Sequence, residues 1–224
     1  YNLTEANEAL REVTSGVPYD ALYIMINTSR YGGGGIYNLY SVFTSDTPAC
    51  DYVFLHEFGH SFGGLGDEYY TSSVAYNDFY PQGVEPREPN LTALLDPSNL
   101  KWKELATPGT PLPTLWENER FESLGPLAMR HREMAVAELE KAKKSGASPK
   151  KIASLEAKLK ALIAKDRQKN IDFLEKHPMR GKVGAYEGAG YASKGIYRPM
   201  VDCIMFSGGS PKPYCKVCEK RVSE

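Results

Sequence analysis

A chain of 224 residues with 42% hydrophobic and 25% charged side chains can bury a real core, as one large domain or two small ones. Its formal net charge of −1 leaves no basic excess to neutralise phosphates, which argues against nucleic-acid binding by bulk charge. No apolar run approaches the ~18 residues of a membrane span and no signal-peptide core is present, while the tyrosine at position 1 is what a processed or trimmed chain would show.

The predicted elements begin with a helix over residues 4–13, with Thr4 as its cap. Residues 21–26 (Ala-Leu-Tyr-Ile-Met-Ile) read as a buried strand from their apolar, β-favouring content. Gly32 to Gly35 read as a flexible turn, not as a phosphate cradle, because no helix follows and no lysine stands at the required spacing. A second strand follows over residues 36–43. Asp46-Thr47-Pro48 then marks a helix start, with Thr47 as cap and proline in the first turn, and the helix runs to Phe62. Residues 80–113, rich in proline, should form an ordered but irregular connection.

The middle of the chain is differently made. All fifteen tyrosines lie in residues 1–80 or 186–214, and residues 117–177 carry fourteen Lys/Arg against ten Asp/Glu. Apolar residues recur at three- and four-residue spacings over Asn118–Lys144, and again over Pro149–Glu175. Between them, residues 145–149 (Ser-Gly-Ala-Ser-Pro) supply a stop, a cap at Ser148 and a first-turn proline; Pro126 would bend the first helix early. The expected organisation is one domain over residues 1–224, with residues 117–177 inserted as an antiparallel helical hairpin.

His56-Glu57-Phe58-Gly59-His60 matches H-E-x-x-H on a predicted helix. Residues four apart share a helix face, so both imidazoles can point at one ion. Glu57, about 100° round the helix, can reach a metal-bound water without occupying the metal. Apolar neighbours (Tyr52, Phe54, Leu55, Phe58, Phe62) bury this helix, and buried histidines need partners. Catalytic zinc takes three protein ligands. Gly63 can end the helix in a left-handed conformation, and Gly64 and Gly66 let the chain turn back to bring Asp67 to the ion, with Glu68 as the alternative third ligand.

The stretch HEFGHSFGGLGDEYY at residues 56–70 resembles the zinc motif of the bacterial IgA-peptidase family of metallopeptidases. Residues 21–31, 174–190 (LEKHPMRGKVGAYEGAG), 195–205 (GIYRPMVDCIM) and 214–221 (YCKVCEKR) resemble the same family. The wider pattern is metzincin-like, with Gly63 at the clan glycine; Asp67 falls one residue beyond the clan's third-ligand position. The resemblance implies an α+β, zincin-like catalytic domain with a twisted sheet and an active-site helix, one zinc ion and a protein or peptide substrate. It implies His56, His60 and Asp67 as zinc ligands, Glu57 as general base and Met205 as a methionine turn beneath the metal.

A donor to the developing oxyanion is also required, and Tyr197 is the candidate, with Tyr69 and Tyr70 close to the motif. The expected function is a zinc-dependent endopeptidase in a secreted or extracytoplasmic setting. A zinc hydrolase of another amide is the alternative, as is a binding module on the same scaffold, although an intact Glu57 argues against a dead site. Cys50, Cys203, Cys215 and Cys218 allow three pairings, a structural zinc site or a redox pair; free buried thiols or one disulfide near the carboxyl terminus are expected. Asn2, Asn27 and Asn90 each open a glycosylation acceptor sequence, of little weight in a chain that resembles a bacterial family.

Overall fold

The computed structural model describes residues 3–70, 79–207 and 212–224, so the acceptor sequence at Asn2 lies partly outside it. The chain is mixed α and β and divides into two compact units, Tyr1–Leu115 with Gly181–Glu224, and Trp116–Arg180.

In the first unit, helix α1 (Asn7–Thr14) begins later than its sequence suggests. The Thr4 hydroxyl accepts the Ala6 N–H at 3.2 Å, while the Thr4 backbone is tied to the Tyr40 hydroxyl. Three strands follow: β1 (Tyr23–Ile26), β2 (Gly33–Ile36) and β3 (Tyr40–Thr44). They lie in the order β1-β3-β2, with β1 parallel and β2 antiparallel to β3. β1 is an edge strand and its end is exposed, Met25 at 67%, in place of the buried strand its composition suggested.

The glycine run corrects the sequence reading most clearly. It is not a turn: Gly33 to Gly35 form most of β2, and the reversal falls at residues 37–39, where Asn38 adopts φ 57°. The single strand expected over 36–43 is therefore split between two. The physical reason lies in helix α2 (Cys50–Ser61), which crosses this strand at close range. A Cβ on Gly33 would sit 2.4 Å from Val53 Cγ1 and 2.7 Å from Glu57 Oε1. On Gly35 it would sit 2.5 Å from the Glu57 carbonyl oxygen and 2.8 Å from His60 Cβ. The glycines let backbone meet helix. α2 itself starts at Cys50, whose N–H bonds the Thr47 carbonyl at 3.1 Å, without a side-chain cap. On its sheet side the Ser41 hydroxyl donates to the Glu57 carbonyl at 3.0 Å and meets the Ser61 hydroxyl.

The rest of this unit packs from the other end of the sequence. Strands β4 (Tyr186–Ala189) and β5 (Ala192–Arg198) form a hairpin closed by Gly190 and Tyr191, both at positive φ (56° and 65°), a two-residue turn of the type that suits strand twist. Leu91, Ala189 and Ile196 make a buried cluster there. The proline-rich stretch before residue 115 is irregular as expected, with short 3-10 turns at Pro97–Asn99 and Lys103–Leu105. It is anchored by Thr92 against Tyr197 and by the Trp102 indole donating to the Gly184 carbonyl at 2.7 Å. Helix α5 (Lys216–Ser223) ends the chain.

In the second unit, helices α3 (Asn118–Lys144) and α4 (Pro149–Glu175) lie side by side, and α3 is not broken at position 126. Gly146 at φ 68° reverses the chain, and the Ser148 hydroxyl caps α4 by accepting the Lys151 N–H at 3.3 Å. Buried Leu139 and Leu174 and the rings of Trp116, Phe121 and Phe173 supply its apolar contacts. Exposed pairs such as Lys143–Glu156 at 2.7 Å join the helices and add little.

Replacing Gly35 by alanine should destabilise the fold by about 1–3 kcal/mol, because the new methyl meets helix backbone that cannot rotate away. Denaturant unfolding of the variant measures this, and an unchanged midpoint would show that β2 and α2 are not held at this distance.

Candidate metal centre

α2 is buried along the face that carries Tyr52, Val53, His56 and Gly59. Beneath it lies Met205, fully buried, with its sulfur 2.8 Å from where a Cβ on Gly59 would stand. The helix stops because Gly64, not Gly63, takes the left-handed conformation at φ 62°. The N–H groups of Gly64 and Leu65 then return to the carbonyls of His60 and Gly59, at 3.2 and 3.0 Å. Gly63 is required for space, since a Cβ there would lie 3.0–3.1 Å from the Gly59 oxygen, Leu65 and Val222.

The reversal brings Asp67 back onto the helix. His56 Nε2 stands 3.0 Å from Asp67 Oδ1, His60 Nε2 stands 3.2 Å from the same oxygen, and the two Nε2 atoms are 3.2 Å apart. The other ring nitrogens are already used: His56 Nδ1 donates to the Ile204 carbonyl at 3.1 Å and His60 Nδ1 to the Leu65 carbonyl at 2.6 Å. A carbonyl can only accept, so each Nδ1 carries a proton and each ring aims its Nε2, the nitrogen left for coordination, at the common point. Two imidazoles and a carboxylate so preset fit a divalent transition metal, with the carbonyls fixing ring orientation from behind.

Charge follows geometry. Burial would raise the Asp67 carboxyl, but the two histidines overrule it and hold it well below the usual range. Burial would lower His60, yet the Asp67 charge and hydrogen bond lift it to about 9. Glu57 is raised by burial, partly offset by His56 and His60. Its carboxylate lies along Gly33 of β2.

The structure thus brings together His56, His60 and Asp67, with Glu57 on the adjacent helix face and Met205 below. Glu68, the alternative third ligand, sits elsewhere: it is fully buried and accepts from the Asn90 amide at 3.0 Å and the Cys218 thiol at 3.1 Å. Tyr197 lies on β5, opposite Glu187, and its phenol bonds that carboxylate. Tyr69 stacks near His56, with centroids 6.2 Å apart.

Two residues escaped the sequence reading. The Tyr191 hydroxyl donates a short hydrogen bond to Asp67 Oδ2, while the Gly190 and Tyr191 N–H groups bond the carbonyls of Asp67 and Tyr69 at 2.9 and 3.0 Å. Tyr191 holds a positive φ that tyrosine rarely adopts, and from there its phenol reaches Asp67. Asn90, fully buried, clamps the same loop: Oδ1 accepts the Gly66 N–H at 2.8 Å and Nδ2 donates to the Gly66 carbonyl at 2.9 Å. Its amide is thus spent inside the fold, in keeping with the little weight given to its acceptor sequence. Only the non-glycine residue in a two-residue hairpin turn hinted at Tyr191, and nothing local pointed to Asn90.

A donor set of this kind, on a buried helix and with a glutamate beside it, is built for metal-dependent chemistry. A sequence profile of the IgA Peptidase M64 family matches residues 1–224, the whole chain, which therefore belongs to that family of metallopeptidases and is a peptidase. No match is found among curated proteins.

Tyr191→Phe removes the hydrogen bond that holds Asp67 Oδ2 and should weaken metal binding about 10–100-fold, read by competition with a chromophoric chelator. The pH dependence has a definite sign. Below about 9 the metal-free His60 is protonated, and its Nε2 must lose that proton before it can coordinate. Apparent affinity should therefore rise by about tenfold per unit from pH 7 to 9 and then level. Calorimetry in buffers of different ionisation enthalpy should show the released proton, and a flat profile across that range would refute the assignment of His60.

Proposed function

We propose that this chain is a zinc-dependent endopeptidase, secreted or extracytoplasmic, whose ion is held by His56, His60 and Asp67. The observation that carries the reading is the convergence of the two Nε2 atoms and Asp67 Oδ1 within 3.2 Å, beside the half-buried Glu57. A zinc ion at that point would supply a water acidified to a pKa of about 7 and polarise the scissile carbonyl.

The remaining steps belong to the protein. Glu57 takes the water proton and later delivers it to the leaving amine, a shuttle suited to a carboxylate whose pKa burial raises and two histidines partly hold back. The Asp67 carboxylate, fixed by Tyr191, keeps its orientation throughout. An extended substrate can pair with a sheet edge. Both sides of β3 are already taken, so the edge beside the motif is β2, whose glycines present bare backbone next to Glu57. Substrates would be unfolded segments or loops, which alone can lie flat along such an edge. Tyr197 and Tyr69 are the phenols proposed as oxyanion donors, and Tyr69 is the one that stands beside His56. Residues 1–224 act as one zincin-like, metzincin-related catalytic domain that carries residues 117–177 as an inserted helical hairpin.

Glu57→Gln should retain zinc while peptide cleavage falls by about 10²–10⁴-fold, since only the proton acceptor is lost. Metal analysis and cleavage of an unfolded protein such as casein, with and without chelator, measure both. Unchanged cleavage by the variant would sink the mechanism.

A further inference from the structure

Directly after Asp67 the chain carries a second cluster that peptide hydrolysis does not use. A Glu68 carboxylate oxygen and the thiols of Cys203, Cys215 and Cys218 lie within 4.8 Å of one another, and all four residues are buried. They come from three places in the chain: the loop after α2, the segment that precedes Met205, and the start of α5. None of the cysteines is in a disulfide.

We propose that Glu68, Cys203, Cys215 and Cys218 form a second metal site, a structural one that takes zinc. Four ligands is the number a closed structural zinc requires, and three sulfurs with one oxygen is a donor set it accepts. Bonds of about 2.3 Å in a tetrahedron put ligand atoms roughly 3.8 Å apart, so the observed cluster closes with small side-chain movements.

Three observations favour a metal over the alternatives. An odd number of thiols cannot all pair, so one disulfide would strand the third beside a buried carboxylate. Glu68 is fully buried and its Oε2 has no hydrogen-bond partner, an arrangement that costs stability unless something positive meets it. Cys215 and Cys218 sit at the cap and third position of α5, where the positive end of the helix dipole faces them and favours sulfur ligands in their anionic form. Arg198, also fully buried, places positive charge close enough to act on Glu68 and offsets part of the ligands' charge.

The site would staple together the two segments that shape the catalytic centre. Glu68 follows Asp67 directly, its N–H bonds the Met205 carbonyl at 2.8 Å, and Cys203 precedes Met205 by two residues.

The test is metal counting on the full chain, purified without added reductant. Wild type should hold two zinc ions per chain, His60→Ala one, and Cys215→Ser/Cys218→Ser one. Cobalt-loaded His60→Ala should show sulfur-to-cobalt charge-transfer absorption in the near ultraviolet, and the double cysteine variant should lack it. Should the cysteine variant fail to fold, cobalt-loaded His60→Ala still decides. A folded His60→Ala chain with no metal, or with cobalt lacking that absorption, overturns the proposal. So does a denatured mass two hydrogens light, the mark of a disulfide. Loss of peptide cleavage is a separate readout, so the failure of the catalytic reading would be seen apart from the failure of this one.

Discussion

The candidate metal centre depends on one reversal of the chain. Six residues separate His60 from Asp67, and within them a helix must stop and turn back so that a carboxylate meets its own last imidazole. A carboxylate brought so close to two buried rings loses water, and only a fixed geometry returns that loss as attraction. The loop is fixed from every side available to it. Gly64 turns, Asn90 grips both polar groups of Gly66, the Glu68 N–H is bonded to Met205, and the tip of the β4–β5 hairpin docks on Asp67 and Tyr69. Each of these uses backbone hydrogen bonds that an irregular buried loop would otherwise leave unmet.

What was legible in the sequence was local. The ends of α3 and α4 followed from spacing and punctuation, because Ser148, Pro149 and Gly146 act on their own neighbours whatever the tertiary context. H-E-x-x-H announced its helix for the same reason. The glycine run misled because residue type alone does not say which constraint glycine relieves. At Gly33 and Gly35 the constraint is absence of a side chain beneath a helix, and a turn needs a sign of φ instead. The same confusion moved the helix stop from Gly64 to Gly63. Tyr191 and Asn90 were invisible because their partners lie 124 and 24 residues away.

The adjacent acids, Asp67 and Glu68, show how far environment separates like residues. Both are buried carboxylates in consecutive positions. Asp67 faces two imidazoles and is pulled well below its usual pKa, whereas burial and the neighbouring Cys203 push Glu68 well above it. The two neighbouring side chains part company, one entering the histidine centre and the next the cysteine cluster. A sequence shows only Asp-Glu, and a choice between two candidate ligands. In the fold each acid has its own cluster.

That division gives the cysteines a place in the argument about catalysis. A metal centre of the proposed kind needs Asp67 and Met205 held to within about 0.5 Å, and loops do this poorly unless something rigid supports them. The loop after α2 and the segment through Met205 are both irregular in backbone. Among the described residues they meet through the Glu68–Met205 backbone hydrogen bond, worth about 1 kcal/mol net, and the rings of Tyr70 and Phe206. Cross-linking the same two segments through Glu68 and Cys203, with α5 as the third anchor, would convert a soft floor into a rigid one. Placement of the cluster one residue from Asp67 and two from Met205 is where such a cross-link has the most leverage on the imidazole pair.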